Sequence, residues 1–196
     1  MFFLNRIGIA PSDDSEIILK KNFVVYLGAS MSAGALIWAA LLIFFGLPWH
    51  ALVPLSYVVI TLVNFSSFHK SRHVSNAGFI QGSISICLPF LMQWLLGGFN
   101  ASGIVMLWSV IALLGTITFA SFRLSAFWFF FFVLLIFVSW QFEYLNVKSV
   151  HIPIEVSRVL LIVNLTLVCT AVFGFRFFLF TSGGNRTMNC AKQTKL

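Results

Sequence analysis

The sequence predicts an all-α membrane protein, a bundle of six transmembrane helices with both termini in the cytoplasm. Three observations support this fold class: a very apolar composition, six long apolar runs, and an uneven distribution of lysine and arginine. Of the 196 residues, 60% are hydrophobic and 9% are charged, whereas soluble domains carry about 25% charged residues. A chain this poor in charge cannot cover a surface that faces water, which argues against an ordinary soluble domain.

Each of the six apolar runs is long enough to cross the hydrocarbon core of a bilayer, which takes about 20 residues. Backbone groups in lipid must be satisfied within the segment, so each run is expected to be a helix. The runs are Phe23–Phe45, Trp49–Phe68, Ser75–Leu96, Gly103–Phe122, Leu124–Phe142 and Val159–Phe180. The boundary between the fourth and fifth runs is the weakest, because Arg123 alone interrupts the apolar sequence there.

Polar segments are predicted on both sides of this membrane domain (residues 23–180). Residues 1–22 form an N-terminal cytoplasmic segment in which Asp13 and Glu16 have the spacing of a capping box. They would open a short amphipathic helix that brings Lys20 and Lys21 to the lipid headgroups. Residues 181–196 form a polar, basic C-terminal tail, because Gly183 and Gly184 are expected to end the last helix.

The orientation follows from lysine and arginine, which concentrate in cytoplasmic connections. With the N-terminus in the cytoplasm, only Lys148 and Arg158 of the twelve basic residues fall on the outer side. The ten on the inner side are Arg6, Lys20, Lys21, Lys70, Arg72, Arg123, Arg176, Arg186, Lys192 and Lys195. Within this set, six residues are the predicted topology anchors: Lys20, Lys21, Lys70, Arg72, Arg123 and Arg176. Both termini are therefore predicted to be cytoplasmic.

The same distribution indicates the partner of the basic residues. The net charge of +7 is spread over turns and tails rather than gathered on one face, so no nucleic acid is expected as a partner. Anionic membrane lipids suit such positions better. His69 and His73 are four residues apart, but no acid or cysteine completes a ligand set, so neither a metal nor a cofactor is expected.

Few residues inside the runs could carry chemistry. The runs contain no Asp, Glu or Lys, which argues against a proton-coupled transporter. Gln93 and Asn164 would both lie in the outer half of the bundle, either as interhelical hydrogen-bonding groups or as a site for a small apolar ligand. Gly28 with Ser32, and Gly78 with Gly82, have the spacing that lets helices pack closely, inside the bundle or across a dimer.

Several motifs, taken in order, resemble the six-helix N-terminal membrane domain of bacterial class III adenylate and guanylate cyclases. The first is RIGIAPSDDSEIILKK at residues 6–21, in which Ile7, Gly8, Pro11 and the run Asp13–Glu16 fit the family pattern, with Ser12 as an insertion. The others are GLPWHALVPLSYVVITLVNF (46–65), LPFLMQWLLGGFNASGIVMLWSVIALLG (88–115) and FASFRLSAFWF (119–129). The resemblance covers residues 6–180.

This resemblance implies a place in the bacterial cytoplasmic membrane and a part in cyclic nucleotide signalling. In the family, the sixth helix leads into a catalytic domain, whereas here TSGGNRTMNCAKQTKL follows Phe180, so no catalytic residues are expected. The predicted function is a membrane anchor or receptor-like domain that dimerises, senses a lipid-phase or small apolar ligand, and signals through a separate cytoplasmic partner. The alternatives are a small stand-alone channel or permeation protein, and an inactive remnant of a truncated cyclase.

Overall fold

The computed structural model describes residues 7–144 and 152–193, with side chains as far as residue 177, and these residues contain helices but no strands. The helices are Ser15–Phe44 (α1), Leu52–Ser71 (α2), Val74–Leu96 (α3), Trp108–Phe119 (α4), Phe122–Tyr144 (α5) and Ile154–Gln193 (α6). A short 3₁₀ turn, Val105–Leu107, leads into α4.

Five helices in the described part of the chain are long and apolar enough to cross a membrane. They are α1, α2, α3, α5 and the Ile154–Phe177 portion of α6. Helix α4 has 12 residues and is therefore about 18 Å long, shorter than the hydrocarbon core of about 30 Å. The prediction of a multi-pass helical membrane protein is confirmed, while the fourth run departs from the expected full-length helix.

The fourth run differs because its first part is not helical. Residues 97–104 form an irregular segment, with positive φ angles at Gly97, Gly98, Gly103 and Ile104. Gly103 lies so close to α6 that an added Cβ would meet the backbone of Leu161. Non-helical backbone is tolerated at membrane depth where protein surrounds it. The predicted helix start at Gly103 is therefore wrong, and α4 begins five residues later.

The predicted break between the fourth and fifth runs is present. The backbone is extended at Ala120, with φ −91° and ψ 168°, and α5 begins at Phe122. The Ser125 hydroxyl donates a hydrogen bond of 2.7 Å to the Thr116 carbonyl across this break. Arg123 consequently lies in the first turn of α5 rather than between two helices.

The two ends of the predicted membrane domain have different outcomes. Helix α1 runs without interruption for 30 residues from Ser15, so the helical turns expected before the first span continue directly into it. Helix α6 continues through Gly183 and Gly184 to Gln193. Glycine costs a helix only about 1 kcal/mol relative to alanine, so two glycines weaken α6 without ending it.

The helices alternate in direction, which places the starts of α1, α3 and α5 together. We call this the N-terminal end of the bundle. There, Ile7, Phe65 and Val74 pack against a small apolar cluster that contains Phe68. At the opposite end, the Trp94 indole of α3 donates to the Ser139 hydroxyl of α5 at 2.8 Å. Because α3 ends at that end and α5 starts at the N-terminal end, residues 97–119 return across the bundle.

The main core lies between α1, α3 and α4, with α5 and α6 packed around it. Leu42, Ile86, Phe90, Ile111 and Leu160 are fully buried there. Helices α2 and α5 expose apolar side chains on their outer faces, among them Val59, Leu62, Val63, Phe130, Leu134 and Phe137. Such faces suit contact with lipid chains.

Candidate functional site

The buried amide of Gln81 is the centre of a polar network between α2 and α3. Its Nε2 donates to the Tyr57 hydroxyl at 2.7 Å and to the Thr61 hydroxyl at 3.2 Å. The Asn64 side chain donates to Gln81 Oε1 at 3.1 Å, and the Tyr57 and Ser85 hydroxyls are 2.8 Å apart. These buried groups satisfy one another, so the network joins two helices and offers no open ligand site.

Asn164 makes four hydrogen bonds inside the bundle. Its Oδ1 accepts from the indoles of Trp38 at 2.8 Å and Trp108 at 3.1 Å. Its Nδ2 donates to the carbonyls of Gly103 at 2.7 Å and Ser102 at 3.3 Å. Asn164 therefore connects α1, α4 and α6 with the irregular segment. Of its two predicted roles, interhelical hydrogen bonding and ligand binding, these contacts correspond to the first.

Gln93 is also fully buried, but neither of its amide atoms has a hydrogen-bond partner in the described part of the chain. The hydrogen bonds of Asn164 all go elsewhere. Gln93 and Asn164 therefore do not hydrogen-bond each other, and a ligand site at either residue stays a prediction.

The small residues separate into two groups. An added Cβ at Gly28 would lie 2.5 Å from the Phe65 ring of α2, and one at Gly34 would meet the Trp108 ring of α4, so both glycines permit close packing inside the bundle. Ser32, which lies four residues after Gly28, is half-buried. An added Cβ at Gly82, in contrast, would have nothing within 4 Å. Gly82 therefore does not serve close helix packing within the part of the chain that the structure describes.

Gly78 and Gly82 instead line a groove of about 340 Å³ between α1, α3, α4 and α5. We call it the lateral groove. Its apolar lining includes Phe23, Val24, Leu27, Gly115, Leu124 and Trp128, and its polar lining consists of Lys20, Ser75, Thr116 and Ser121. The sequence indicates other roles for Lys20, Gly78 and Gly82, and it does not identify the remaining lining residues. The sequence signal for this groove is the presence of small residues at positions 115, 120 and 121, beside the break before Arg123.

Lys20 lies at the N-terminal end of the lateral groove. Its ammonium is 2.7 Å from the Glu16 carboxylate, one helical turn earlier, and the two side chains are 36% and 73% exposed. Exposed ion pairs of this spacing contribute about 0.3–0.5 kcal/mol. Such a pair can readily exchange one partner for another anion.

Lys21 occupies a different environment from its neighbour. It is 3% exposed, and its ammonium donates to the Gly8 carbonyl at 2.6 Å and to Asp13 Oδ2 at 2.8 Å. Asp13 also accepts a 2.6 Å hydrogen bond from the backbone N–H of Ala10. We call Gly8, Ala10, Asp13 and Lys21 the N-terminal latch. The expected headgroup contact of Lys21 is therefore wrong, because its charge is neutralised inside the protein.

The latch also replaces the expected capping box. Asp14 is the N-cap residue of α1 and makes no side-chain capping hydrogen bond, while the Asp13 carboxylate is committed to the latch. Two hydrogen bonds hold the pKa of Asp13 below its usual value: the bond from the Ala10 N–H has the larger effect, and the bond from Lys21 has the next largest. Gly8, with φ +73°, lies against the Phe68 ring. The charged opening of the sequence thus has a structural role.

The other predicted anchors are exposed. Lys70 lies in the last turn of α2, Arg72 follows it with a left-handed backbone (φ 58°), and Arg123 begins α5, all at the N-terminal end. Arg176 is exposed on α6. Their assignment to cytoplasmic headgroups stays a prediction.

The two histidines do not share a helical face. Helix α2 ends at Ser71, so His69 belongs to α2 and His73 to the start of α3. Among the described residues, no group of three or more His, Cys, Asp or Glu side chains could hold a metal ion.

Other cavities fit a membrane ligand less well than the lateral groove. A cavity beside Trp38, Pro54, Met92 and Trp108 has a volume of about 50 Å³, and ligand sites usually measure about 300–1,000 Å³. Clefts of about 430 and 460 Å³ are lined by helix ends and connections at the two ends of the bundle.

No family model matches the chain, and no curated protein or solved structure matches it either.

Proposed function

We propose that this chain is a receptor-like membrane domain of the adenylate cyclase type, which binds a lipid-phase ligand in the lateral groove. The observation that carries the proposal is the groove itself, with a volume of about 340 Å³ between four helices. This volume falls in the range of small-molecule sites, about 300–1,000 Å³. The groove is largely apolar, as a ligand that arrives through the bilayer requires.

The groove is connected to α6 through α1. Phe23 lines the groove, and its ring lies edge-on to that of Phe175, with centroids 5.2 Å apart. One turn along α1, the Tyr26 hydroxyl donates to the Ala171 carbonyl at 2.9 Å. A ligand that displaces Phe23 would therefore change the packing of α6, provided that it binds the two arrangements with different affinity.

The remaining parts of the proposal rest on the sequence resemblance. The domain would lie in the bacterial cytoplasmic membrane, form a homodimer, and pass its signal through α6 to a separate cytoplasmic partner. It would have no catalytic activity of its own.

The hydrogen bonds of two buried amides, Gln81 and Asn164, favour the receptor proposal over a channel. A channel would need the polar groups of α3 and α6 to converge on one path. Gln81 of α3 instead faces α2, and Asn164 of α6 binds α1, α4 and the irregular segment. Each amide is occupied by protein partners, so the two do not form a common polar surface.

Photolabelling with an uncharged ligand tests the proposal. The full chain in phosphatidylcholine nanodiscs would be exposed to a long-chain alcohol that carries a diazirine, and the labelled peptides would be mapped by mass spectrometry. We expect labels on α1, α3 and α5 around Phe23, Gly78 and Trp128. An excess of unlabelled alcohol should compete with them, because the groove has a limited capacity.

Two variants make this experiment decisive. Gly82→Phe should abolish the competed labels, because its side chain enters the groove from a position with open space around it. Leu62→Phe, on the lipid-facing side of α2, is the matched control and should leave them unchanged. If Gly82→Phe does not fold, Trp128→Ala provides a second alteration from the opposite wall. Labelling that no unlabelled alcohol competes with would overturn the proposal.

A further inference from the structure

We propose that the ligand of the lateral groove is an anionic phospholipid of the surrounding membrane, with its phosphate bound at Lys20 and one acyl chain lying over Gly78 and Gly82. This inference rests on the proposed function, because it names the ligand class of the same groove. It makes a separate claim, which is selectivity for a negatively charged headgroup.

The polar lining residues of the groove lie at one end of it. Lys20 is in the second turn of α1, Ser75 is in the first turn of α3, and Ser121 immediately precedes α5. All three helices begin at the N-terminal end of the bundle, so these side chains form a polar mouth. The lining residues farther along α1 and α3, such as Leu27 and Gly82, provide an apolar trough.

The length of this trough suits part of an acyl chain. Gly82 lies seven residues beyond Ser75 on α3, and Leu27 lies seven residues beyond Lys20 on α1. Seven residues of helix correspond to about 10 Å. Gly82 has no side chain and nothing within 4 Å of the position of a Cβ, so the trough is open at this depth.

The described residues that line the groove carry charge of one sign, and the Glu16 carboxylate lies beside the mouth in its ion pair with Lys20. Among the residues that the structure describes, Lys20 is the one charged residue that lines the groove, and no carboxylate lines it. The first turns of α3 and α5 add backbone N–H groups without intrahelical partners and the positive ends of two helix dipoles. A phosphate at this mouth would therefore meet complementary charge, and a headgroup of net negative charge would be favoured over a zwitterionic one, whose ammonium group offsets its phosphate.

The ion pair between Lys20 and Glu16 does not prevent this binding. The Glu16 side chain is 73% exposed, and an exposed pair of this spacing contributes only about 0.3–0.5 kcal/mol, so Lys20 can exchange this carboxylate for a phosphate. The exchange replaces an exposed pair with one that lies partly out of water, where charges interact more strongly.

Quenching of Trp128 fluorescence by brominated lipids tests the proposal. Trp128 lines the groove, and its contribution is the difference between the wild-type chain and Trp128→Phe. The full chain would be placed in phosphatidylcholine nanodiscs that contain, at equal mole fractions, either phosphatidylglycerol or phosphatidylcholine with brominated acyl chains. We expect the brominated phosphatidylglycerol to be about fivefold more effective, the scale of one basic residue near a membrane surface.

Four variants separate a groove from general surface charge. Lys20→Met should reduce the preference to about equal quenching by the two lipids, and Lys20→Arg should retain it. Gly82→Phe should also remove the preference, because the phenylalanine side chain fills the position of the acyl chain. This substitution leaves the charge of the protein unchanged. Lys70→Met removes an exposed basic residue that does not line the groove, at the same end of the bundle, and should leave the preference intact.

The outcomes distinguish this inference from the proposed function. Equal quenching by both lipids in the wild-type chain would overturn the anionic selectivity while leaving a groove that binds acyl chains. A preference that survives Lys20→Met, or one that Lys70→Met also removes, would likewise overturn it. If neither lipid quenches Trp128, the groove does not admit acyl chains, and both the inference and the proposed function fail.

Discussion

At the scale of single residues, two adjacent lysines have opposite roles. Lys20 lies at the mouth of the lateral groove, with its ammonium paired to an exposed carboxylate. Lys21 is buried and holds Gly8 and Asp13 in the N-terminal latch. A rotation of about 100° between neighbouring residues of a helix is enough to separate a residue that faces lipid and water from one that faces the protein.

The latch should open at acidic pH. Because the Ala10 N–H and Lys21 hold the pKa of Asp13 below 3.8, the carboxylate stabilises the folded latch fully above pH 3.8. This stabilisation is lost as the pH falls through the lowered pKa of the folded state. Hydrogen exchange of residues 8–13, corrected for the intrinsic pH dependence, should show constant protection from pH 7 to pH 5 and reduced protection near pH 3.

Two substitutions control this prediction. Lys21→Met removes a partner of Asp13 and should already reduce the protection at pH 7, whereas Lys20→Met should not. Asp13→Asn should give reduced protection that no longer varies with pH. Wild-type protection that stays constant down to pH 2 would show that the Asp13 carboxylate does not hold the segment.

The two buried amides, Asn164 and Gln93, should respond to substitution in opposite ways. Asn164→Leu leaves the indoles of Trp38 and Trp108 and two backbone carbonyls without their partner. Each of these four buried groups costs about 1–3 kcal/mol when it is left unsatisfied, so we expect a total loss of at least about 4 kcal/mol. Gln93→Leu removes an amide that has no protein partner and should be neutral or stabilising.

Unfolding measurements on the two variants in the same bicelles would compare these free energies. Gln93→Met, which nearly conserves side-chain volume, controls for packing. A loss of stability in Gln93→Leu as large as that in Asn164→Leu would contradict the assignment of different environments to the two amides.

At the scale of helices, glycines of similar spacing differ in what they contact. Gly34 faces the Trp108 ring, which is buried and held by its hydrogen bond to Asn164. The ring therefore cannot move aside easily, and overpacking a core usually costs about 1–3 kcal/mol. We expect Gly34→Ala to destabilise the bundle by this amount in thermal or denaturant unfolding.

Gly82→Ala is the matched comparison. Its Cβ would enter open space, and alanine is favoured over glycine in a helix by about 1 kcal/mol. Unfolding of this variant should therefore show unchanged or slightly increased stability. If Gly82→Ala is as destabilising as Gly34→Ala, Gly82 takes part in a close contact, for instance with a second copy of the chain.

The helices themselves could be predicted well, and their interruptions less well. Apolar runs located all six helices, because the need to satisfy backbone groups in lipid overrides local propensity. The irregular segment before α4 was not foreseen, since it depends on Asn164 of α6, more than sixty residues away, which binds its carbonyls. Gly183 and Gly184 predict the end of α6, but their penalty of about 1 kcal/mol each is too small to end a helix that continues to Gln193.

At the scale of the whole molecule, the number of membrane crossings depends on the short helix α4 and the irregular segment before it. Five long helices alone would place the two termini on opposite sides of the membrane. Residues 97–119 nevertheless return across the bundle, because α3 and α5 run in the same direction. We therefore expect six crossings and two cytoplasmic termini, as the distribution of basic residues predicts.

Reporter fusions test this expectation directly. A fluorescent protein fused to either terminus should be fluorescent in bacterial cells, and alkaline phosphatase at either terminus should be inactive. Phosphatase placed between Trp49 and His50 should be active and serves as the opposite control. A phosphatase that is active at one terminus alone would show an odd number of crossings.

The candidate site could be predicted only in part. The sequence predicts a headgroup contact for Lys20 from its charge and close helix packing for Gly78 and Gly82 from their spacing. It does not predict that the three residues line one cavity. That cavity depends on how α1, α3, α4 and α5 meet, and residues such as Trp128 and Gly115 join it from distant parts of the chain. Gln93 and Asn164 were recognised as buried polar groups, yet their partners could not be deduced from one helix at a time.

Helix α6 has 40 residues and is therefore about 60 Å long, about twice the thickness of the hydrocarbon core. Its contact with Phe23 of α1, at Phe175, lies 18 residues before Gln193, or about 27 Å along the axis. Helix α6 can tilt about this contact. A tilt of about 10° there would move the backbone at Gln193 by about 5 Å, which turns the displacement of one aromatic ring into a movement on the scale of a whole helical turn.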